Sequence, residues 1–229
     1  MLVIFDIDGT LCRTSQLDDD CWRLAATEVL GIENMSTDWN DYPHSTDESI
    51  AGALHQAARG SEPSRAEVDL LRDRFVEILR EAHDASPDAM KPTPGASDFI
   101  ERLVSEGHGV AIATGGWTPS ARFKLECCGI EHDRIPAAFA CDAQPRAEII
   151  EIARTRAILE GRHREDDPAV VYVGDGLWDL TASRRLGIGF VGLANGRREV
   201  LLREAGANFV FPDFLDQSAF LEALLDSSL

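Results

Sequence analysis

Six short apolar runs, separated by stretches of helical periodicity, restrict the fold of this 229-residue chain more than any other feature. The runs span residues 2–5, 110–113, 137–140, 170–173, 188–191 and 209–211. Strands that alternate with helices form right-handed βαβ units, and these build a mostly parallel sheet. Several runs are apolar throughout, which is typical of strands buried on both faces. The pattern therefore predicts an α/β fold.

The segment 15–88 departs from this pattern, because it contains three helical stretches and no good strand. Ser45 and Glu48 stand in a capping-box spacing that predicts the start of the second helix. Ser64 and Glu67 repeat that spacing and predict the start of the third. We therefore expect a helical insertion directly after the first strand.

The formal charge of −18 restricts the partners of the chain. An acidic protein repels nucleic acid and anionic membranes, so we expect neither as a partner. An anionic substrate is also opposed, so a phosphate site needs local cations or clustered backbone N–H groups. We find no signal peptide and no apolar stretch of about 18 residues that could span a membrane. The five cysteines lack C-x-x-C spacing, which favours reduced thiols of a cytoplasmic protein over disulfides or a zinc site.

The residues after the first apolar run are candidates for chemistry, because ligands of open parallel sheets bind beyond the carboxyl ends of the strands. Asp6, Asp8 and Gly9 follow this run. Two carboxylates in one loop can divide the work, one attacking phosphorus and the other handling the leaving group's proton. Gly9 permits a tight turn that brings backbone N–H groups to an anion. The alternative is an ordinary Asp-rich turn.

The next two runs lead to a glycine-rich loop and to an arginine. Thr114, Gly115 and Gly116 can offer a hydroxyl and main-chain N–H groups to a phosphate, although a loop simply closed by glycine is an equal alternative. Further along, Pro145 would open a helix with Arg146 in its first turn. The helix dipole disfavours a cation there, and this breach of a local rule suggests a function. The alternative is a solvated arginine.

Two more carboxylates, Asp175 and Asp179, follow the run 170–173. Magnesium takes hard oxygen ligands and is often held by one or two carboxylates together with a substrate phosphate. Asp175 suits this role, and Asp179 suits either a supporting ligand or a residue that orients one. Alternatively, Asp179 is an acid in the first turn of a helix, where the dipole favours it.

These four motifs, in this order, make the sequence similar to the haloacid dehalogenase superfamily of phosphatases over essentially the whole chain. The resemblance implies a Rossmann-like, three-layer α/β core formed by residues 1–14 and 89–229. It also implies that residues 15–88 form a small helical cap domain, similar to those of phosphoglycolate phosphatases and β-phosphoglucomutases. Mg²⁺ and an aspartyl-phosphate intermediate are implied as well.

The resemblance implies a role for each motif residue. Asp6 is expected to be the nucleophile and a metal ligand, and Asp8 the general acid/base, with its backbone carbonyl facing the metal. Thr114 is expected to bind the transferring phosphate, Asp175 to complete the metal site, and Asp179 to be a further metal ligand.

The third motif of the family is a lysine or arginine, and two residues could supply it. Arg146 lies at the expected strand end, whereas Lys124 lies in the preceding helix, where a long side chain pointing back could still reach. We expect Arg146, with Lys124 as the second candidate, to stabilise charge on the phosphorylated Asp6.

The predicted function is Mg²⁺-dependent hydrolysis of a small phosphorylated metabolite, as in phosphoglycolate phosphatases. No lysine precedes residue 91, which argues against Schiff-base chemistry in the insertion. The alternatives are phosphoryl transfer of the β-phosphoglucomutase kind and a non-catalytic binding protein on the same fold.

Thr46 and Asp47, between the first two predicted helices of the insertion, could bind the substrate. The alternative is that Ser45 caps the second helix and Asp47 occupies its first turn. Trp39, Trp117 and Trp178 could line a pocket, although Trp117 and Trp178 could equally be packing residues.

Overall fold

The computed structural model describes residues 1–228, which form eight strands and nine α-helices. The strands are β1 (Leu2–Phe5), β2 (Cys12–Arg13), β3 (Lys91–Pro92), β4 (Gly109–Ala113), β5 (Ala137–Ala138), β6 (Val170–Gly174), β7 (Gly189–Leu193) and β8 (Val210–Phe211). The helices are α1 (Ser15–Leu30), α2 (Asp47–Arg59), α3 (Arg65–Ala85), α4 (Ala96–Ser105), α5 (Thr118–Cys127), α6 (Arg146–Leu159), α7 (Leu177–Leu186), α8 (Gly196–Glu204) and α9 (Gln217–Ser227).

Six of these strands form one parallel sheet in the order β5-β4-β1-β6-β7-β8. All four residues of the central strand β1 are buried. Val3 and Phe5 pack into an apolar cluster that includes residues of α4, α5 and α9, whereas Leu2 and Ile4 pack against α6, α7 and α8. Alternate side chains of a strand point to opposite faces, so the uninterrupted apolar run of β1 produces a three-layer, Rossmann-like α/β fold. The predicted fold class is confirmed.

Helices α1, α2 and α3 lie between β2 and β3, in the segment predicted to be helical. Trp22 of α1 packs against Phe75 of α3 at a ring distance of 5.3 Å and against Trp117 of the α/β part at 5.1 Å. The apolar cluster on one face of the sheet therefore continues into the helical insertion. The predicted domain boundaries at residues 15 and 88 stay a prediction.

The two capping-box predictions have opposite outcomes. Ser64 accepts a hydrogen bond from the backbone N–H of Glu67, and the Glu67 carboxylate accepts one from the backbone N–H of Ser64, which confirms this capping box. The prediction for Ser45 is wrong, because α2 begins at Asp47 with Thr46 as its N-cap. Ser45 instead has a φ of 50° and donates its hydroxyl to the carbonyl of Trp39.

Two other local predictions need correction. The run 137–140 is a strand only at Ala137–Ala138, because the N–H of Phe139 bonds to the Asp142 carboxylate and that of Ala140 to the carbonyl of Gly116. The sequence analysis also missed β2 and β3, which pair antiparallel where the chain enters and leaves the helical insertion. Neither has the length or alternation that identifies a strand in a sequence. None of the helices within residues 1–228 is long and apolar enough to cross a membrane.

Candidate active site

The carboxyl ends of β1, β4 and β6 meet at one edge of the sheet. Phe5 at the end of β1 lies opposite Ile112 of β4 and Val173 of β6 in the parallel register. The loops that follow these strands therefore converge on a small cavity of about 50 Å³. Its lining includes these residues selected from the sequence: Asp6, Asp8, Asp47, Thr114, Gly115, Gly116, Arg146 and Asp175.

Asp6 is buried at the centre of this cluster, with 3% of its surface exposed. Its Oδ1 accepts a hydrogen bond from Nη1 of Arg146 at 3.0 Å. Burial raises the pKa of Asp6 to about 7, an effect that Arg146 opposes and that the neighbouring acids Asp179 and Asp8 increase. The nearby hydroxyl of Thr114 also lowers the pKa of Asp6. The result is a carboxylate removed from bulk water and paired with one cation, which suits a nucleophile.

Arg146 is the cation that faces Asp6. It is 8% exposed, and its Nη2 donates to the backbone carbonyl of Ser45 at 2.9 Å. A Cβ on Gly115 would come within 2.6 Å of Nη2 of Arg146 and 2.7 Å of the Ser45 carbonyl. Glycine is therefore required at position 115 to admit the guanidinium. Burial lowers the pKa of Arg146, but the surrounding acids, above all Asp179, raise it by more. The net effect is a raised pKa, so the side chain stays charged.

Lys124, the second candidate for this role, contacts Asp8 instead. It is 1% exposed, and its Nζ lies 2.8 Å from Oδ1 of Asp8 and also pairs with Asp18 of α1. Burial lowers the pKa of Lys124, but Asp18, Asp8 and Asp47 raise it more strongly. Thr14 donates a second hydrogen bond, of 2.5 Å, to Oδ1 of Asp8. Asp8 is thus held from two sides, by a cation and by a hydroxyl.

Three buried acids, Asp6, Asp175 and Asp179, could hold a metal ion. One carboxylate oxygen from each lies within 4.8 Å of the others. Oδ2 of Asp179 accepts from the N–H of Gly176 at 3.0 Å, whereas its buried Oδ1 has no hydrogen-bond partner. Burial raises the pKa of Asp175 to about 7 and that of Asp179 to about 6. A hard divalent cation would supply the charge that keeps such neighbouring carboxylates ionised, so the residues fit Mg²⁺.

The residues predicted to contact a substrate, Thr46 and Asp47, both hold the insertion against the α/β part. The hydroxyl of Thr46 donates to the carbonyl of Gln144 at 2.9 Å, and the side chain is 1% exposed. Oδ2 of Asp47 accepts from the backbone N–H of Trp117 at 2.7 Å, and Oδ1 accepts from the indole N–H of Trp22 at 3.1 Å. Asp47 lines the cavity, whereas the described lining does not include Thr46.

The loop after β4 takes its shape from bonds within itself and to the insertion. The N–H of Gly116 donates to Oγ1 of Thr114 at 3.3 Å, and the carbonyl of Gly115 accepts from the N–H of Asp47 at 2.8 Å. Trp117, next along, is fully buried. Thr114, Gly115 and Gly116 are therefore brought together at the cavity, as predicted.

Sequence reasoning missed several residues of this cavity, above all Arg198. Its guanidinium pairs with Asp175, although 45% of the Arg198 side chain is exposed. Arg198 lies in the first turn of α8, after the end of β7. The rule applied to the earlier strand ends would have found it, had it been extended to this strand. Trp22 was missed as well, whereas Trp39 and Trp178 line the cavity as the sequence analysis suggested.

The comparisons of this chain with known sequences and structures agree on one protein family. The model of the haloacid dehalogenase-like hydrolase family matches residues 1–187. The phosphoserine phosphatase of Methanocaldococcus jannaschii is 25% identical over 197 residues, covering 82% of this chain and 82% of that protein. The phosphoglycolate phosphatase of Agrobacterium fabrum is 25% identical over 218 residues, covering 93% of this chain and 88% of that protein.

Two further comparisons concern a much longer relative and a solved structure. The chloroplastic protein SUPPRESSOR OF QUENCHING 1 of Arabidopsis thaliana is 23% identical over 220 residues, but the match covers 92% of this chain and only 19% of that longer protein. The crystal structure of a hydrolase from Pseudomonas syringae superimposes with a TM-score of 0.73 at 22% identity, covering 96% of this chain and 97% of that one. At that identity the superposition describes the fold.

Proposed function

Because the chain belongs to the haloacid dehalogenase-like hydrolase family, we propose that it is a Mg²⁺-dependent phosphatase that hydrolyses a small phosphate monoester. The observation that carries this proposal is the position of Asp6. It is buried at the end of the central strand, within 3.0 Å of a guanidinium and beside two further buried acids. The phosphatases among the relatives support the reaction class.

In the proposed reaction, Asp6 attacks the phosphorus atom and the P–O bond to the leaving alcohol breaks. The products of this step are an aspartyl-phosphate and the alcohol. Arg146 balances the charge of the phosphorylated carboxylate, and the hydroxyl of Thr114 donates to a phosphate oxygen. Gly115 and Gly116 let the backbone approach the phosphate closely. These groups are already in place, so little reorganisation is needed when charge develops.

Asp8 is the proposed proton carrier. It gives a proton to the leaving alcohol and then takes one from the water that hydrolyses the aspartyl-phosphate. Thr14 and Lys124 hold its carboxylate in one orientation. In this proposal Lys124 positions Asp8 and is not the cation of the third motif, which is Arg146.

Asp6, Asp175 and Asp179, together with the backbone carbonyl of Asp8, are the proposed metal ligands. Mg²⁺ would neutralise negative charge on the transferring phosphate. The buried Oδ1 of Asp179 supports this assignment, because it has no hydrogen-bond partner and only the Arg146 guanidinium at 3.7 Å, and a buried carboxylate oxygen without a hydrogen bond is costly.

The substrate is proposed to be small, because the cavity beside Asp6, between the strand ends and the helical insertion, measures only about 50 Å³. The insertion acts as a cap that limits access of water, and Thr46 and Asp47 hold it in place. Nucleic acid and membranes are not proposed as partners, because the chain carries a charge of −18. The cytoplasm is the proposed location, since free cysteines suit a reducing compartment.

The test is phosphate release from p-nitrophenyl phosphate and a panel of phosphorylated metabolites, with Mg²⁺ and with excess EDTA. We expect activity that needs Mg²⁺ and that falls on the order of 10³-fold or more in Asp6→Asn, since the nucleophile is lost. Asp133→Asn, an equal change at an exposed carboxylate, should retain wild-type activity. Equal turnover by wild type and Asp6→Asn, or full activity in EDTA, would refute the proposal. Phosphoryl transfer to a sugar phosphate without net phosphate release would instead identify a mutase.

A further inference from the structure

Arg198 differs from the other cations of the site because its side chain is about half exposed. Arg146 and Lys124 are 8% and 1% exposed and have several fixed partners. The Arg198 side chain is 45% exposed, pairs with Asp175 and lies 3.4 Å from the hydroxyl of Ser15. It could therefore leave Asp175 without any disturbance of the core.

The partner of Arg198 is also a proposed metal ligand. A divalent cation held by Asp175 repels a guanidinium and replaces the charge that the guanidinium supplied. Arg198 would then need another anion. Asp19 of α1 and Asp38 are carboxylates near it. The Asp38 side chain already accepts two hydrogen bonds from Asn40, whereas one oxygen of Asp19 is buried without a hydrogen-bond partner, so a substrate anion would compete with Asp19 for the guanidinium.

A second cavity adjoins the first on the side of Arg198. It measures about 300 Å³ and lies between residues 37–40 of the insertion and the start of α7 and α8. Trp39, Asp175, Trp178 and Arg198 line both cavities, so the two cavities are neighbours that share these four side chains. Arg197 also faces the larger cavity. The carboxylates of Asp38 and Asp175 line it too. With Asp38 bonded to Asn40 and Asp175 assigned to the metal, the two guanidiniums and two indoles are left to bind an anionic organic group, since guanidinium binds carboxylate and phosphate in matching planar geometry.

We propose that this larger cavity receives the leaving part of the substrate and that Arg198 recognises a second negative group on it, a carboxylate or a phosphate. This rests on the proposed phosphatase function, because the first phosphate must lie at Asp6. Arg198 thus serves two states of the site: it neutralises Asp175 before the metal binds and pairs with the substrate afterwards. The substrates that the site would prefer carry two anionic groups joined by a short organic linker.

The first test is calorimetric binding to the Asp6→Asn protein in Mg²⁺, which requires no turnover. The ligands are phosphoglycolate and 2-hydroxyethyl phosphate, which differ in one carboxylate, and ethylene glycol bisphosphate for a second phosphate. We expect Arg198→Gln to weaken binding of the doubly anionic ligands by about tenfold, as the loss of a charge-assisted bond does. Binding of 2-hydroxyethyl phosphate should change by less than twofold. Whichever of the two doubly anionic ligands loses more affinity in Arg198→Gln identifies whether Arg198 binds a carboxylate or a phosphate.

The second test is calorimetric titration of Mg²⁺ into otherwise wild-type protein. Arg198→Gln should bind the ion at least threefold more tightly, because a competing cation is removed from Asp175. Arg164→Gln, which removes an equal charge from an exposed loop, should match wild type in both tests. Equal weakening of all three ligands, no weakening, or unchanged Mg²⁺ affinity would overturn the proposal.

The two proposals can fail separately. If the ligands bind with a preference that depends on Arg198 but wild type hydrolyses none of them, the phosphatase function fails and the recognition by Arg198 stands. If wild type hydrolyses all of them and Arg198→Gln lowers every kcat/KM equally, the function stands and the recognition fails.

Discussion

The two halves of the active site are built by different means. The core half consists of side chains that follow strands of the parallel sheet, namely Asp6, Thr114, Arg146, Asp175 and Asp179. The cap half consists of residues from the helical insertion that line the same cavity, namely Asp18, Trp22, Trp39, Ser45 and Asp47. In the core half, strand register brings the charged groups together. In the cap half, hydrogen bonds between the insertion and the core do so: Thr46 and Asp47 bond to backbone groups of the core, and Arg146 of the core donates to the backbone carbonyl of Ser45.

The difference separates the residues assigned to the chemistry from the residues that shape the cavity. The core half holds the buried carboxylates to which we assign the chemistry, and its geometry depends on a sheet that is buried on both faces. The cap half supplies aromatic side chains to the cavity, and its position depends on a few contacts such as those of Thr46 and Asp47. We infer that the chemistry tolerates changes in the cap better than changes at the strand ends.

Lys124 joins the two halves, and its removal should have the largest effect on stability. Lys124→Met would leave Asp8 of the core and Asp18 of the cap without their shared cation, at a cost of about 3–5 kcal/mol in unfolding free energy. Urea unfolding followed by tryptophan fluorescence measures this. Lys91→Met is the matched control, because Lys91 is exposed, and its cost should stay within about 0.5 kcal/mol. Similar values for the two variants would mean that the halves are not joined through this residue.

Arg146 tests the core half alone. Arg146→Gln should lower kcat by about 10²–10³-fold, because a donor to the developing charge is lost. Arg146→Lys should recover part of the rate, since it keeps the charge but not the planar geometry. The control is Arg154→Gln on the same helix, where an arginine pairs with Glu151 away from the site. If Arg146→Gln and Arg146→Ala both kept turnover within tenfold of wild type, Arg146 would not be the cation of the third motif.

Ser64 tests the cap half alone and should give the smallest effect. Ser64→Ala removes the side-chain acceptor at the start of α3 and should cost about 1 kcal/mol of stability. Steady-state kinetics at a temperature where the protein is folded should show an unchanged kcat. Ser61→Ala, at a nearby exposed serine, is the control in the same unfolding experiment. A large fall in kcat would show that the geometry of the cap half affects the chemistry directly.

The core half could be predicted because its positions follow from local rules. A short apolar run predicts a buried strand, and the residue after it must lie at the ligand-binding edge. Asp6, Thr114 and Asp175 were found in this way, and so was Arg146, whose place in a helix's first turn contradicts the dipole preference. Arg198, which follows the end of β7, obeys the same rule, and applying the rule to that strand would have identified it.

The cap half could not be predicted in the same way, because its contacts depend on tertiary packing. Ser45 and Glu48 have the spacing of a capping box, yet Glu48 accepts hydrogen bonds from Trp117 and Arg65 instead. The role of Lys124 was equally hidden, since no local pattern distinguishes a buried lysine from an exposed one. Sequence spacing predicts contacts within one helix or strand, whereas the partners of Ser45, Glu48 and Lys124 lie on a different element.

The paired strands β2 and β3 have an evolutionary and an engineering consequence. Arg13 lies beside Lys91 and Cys12 beside Pro92, so the chain leaves and re-enters the core at the same point. An insertion whose two ends are neighbours can be lengthened, exchanged or deleted without stretching the sheet. A tight turn from Arg13 to Lys91 would give a shortened chain in which the carboxyl ends of the core strands are uncovered. The proposed limit on substrate size thus depends on an insertion that joins the core through one two-residue ladder, directly beside Asp8.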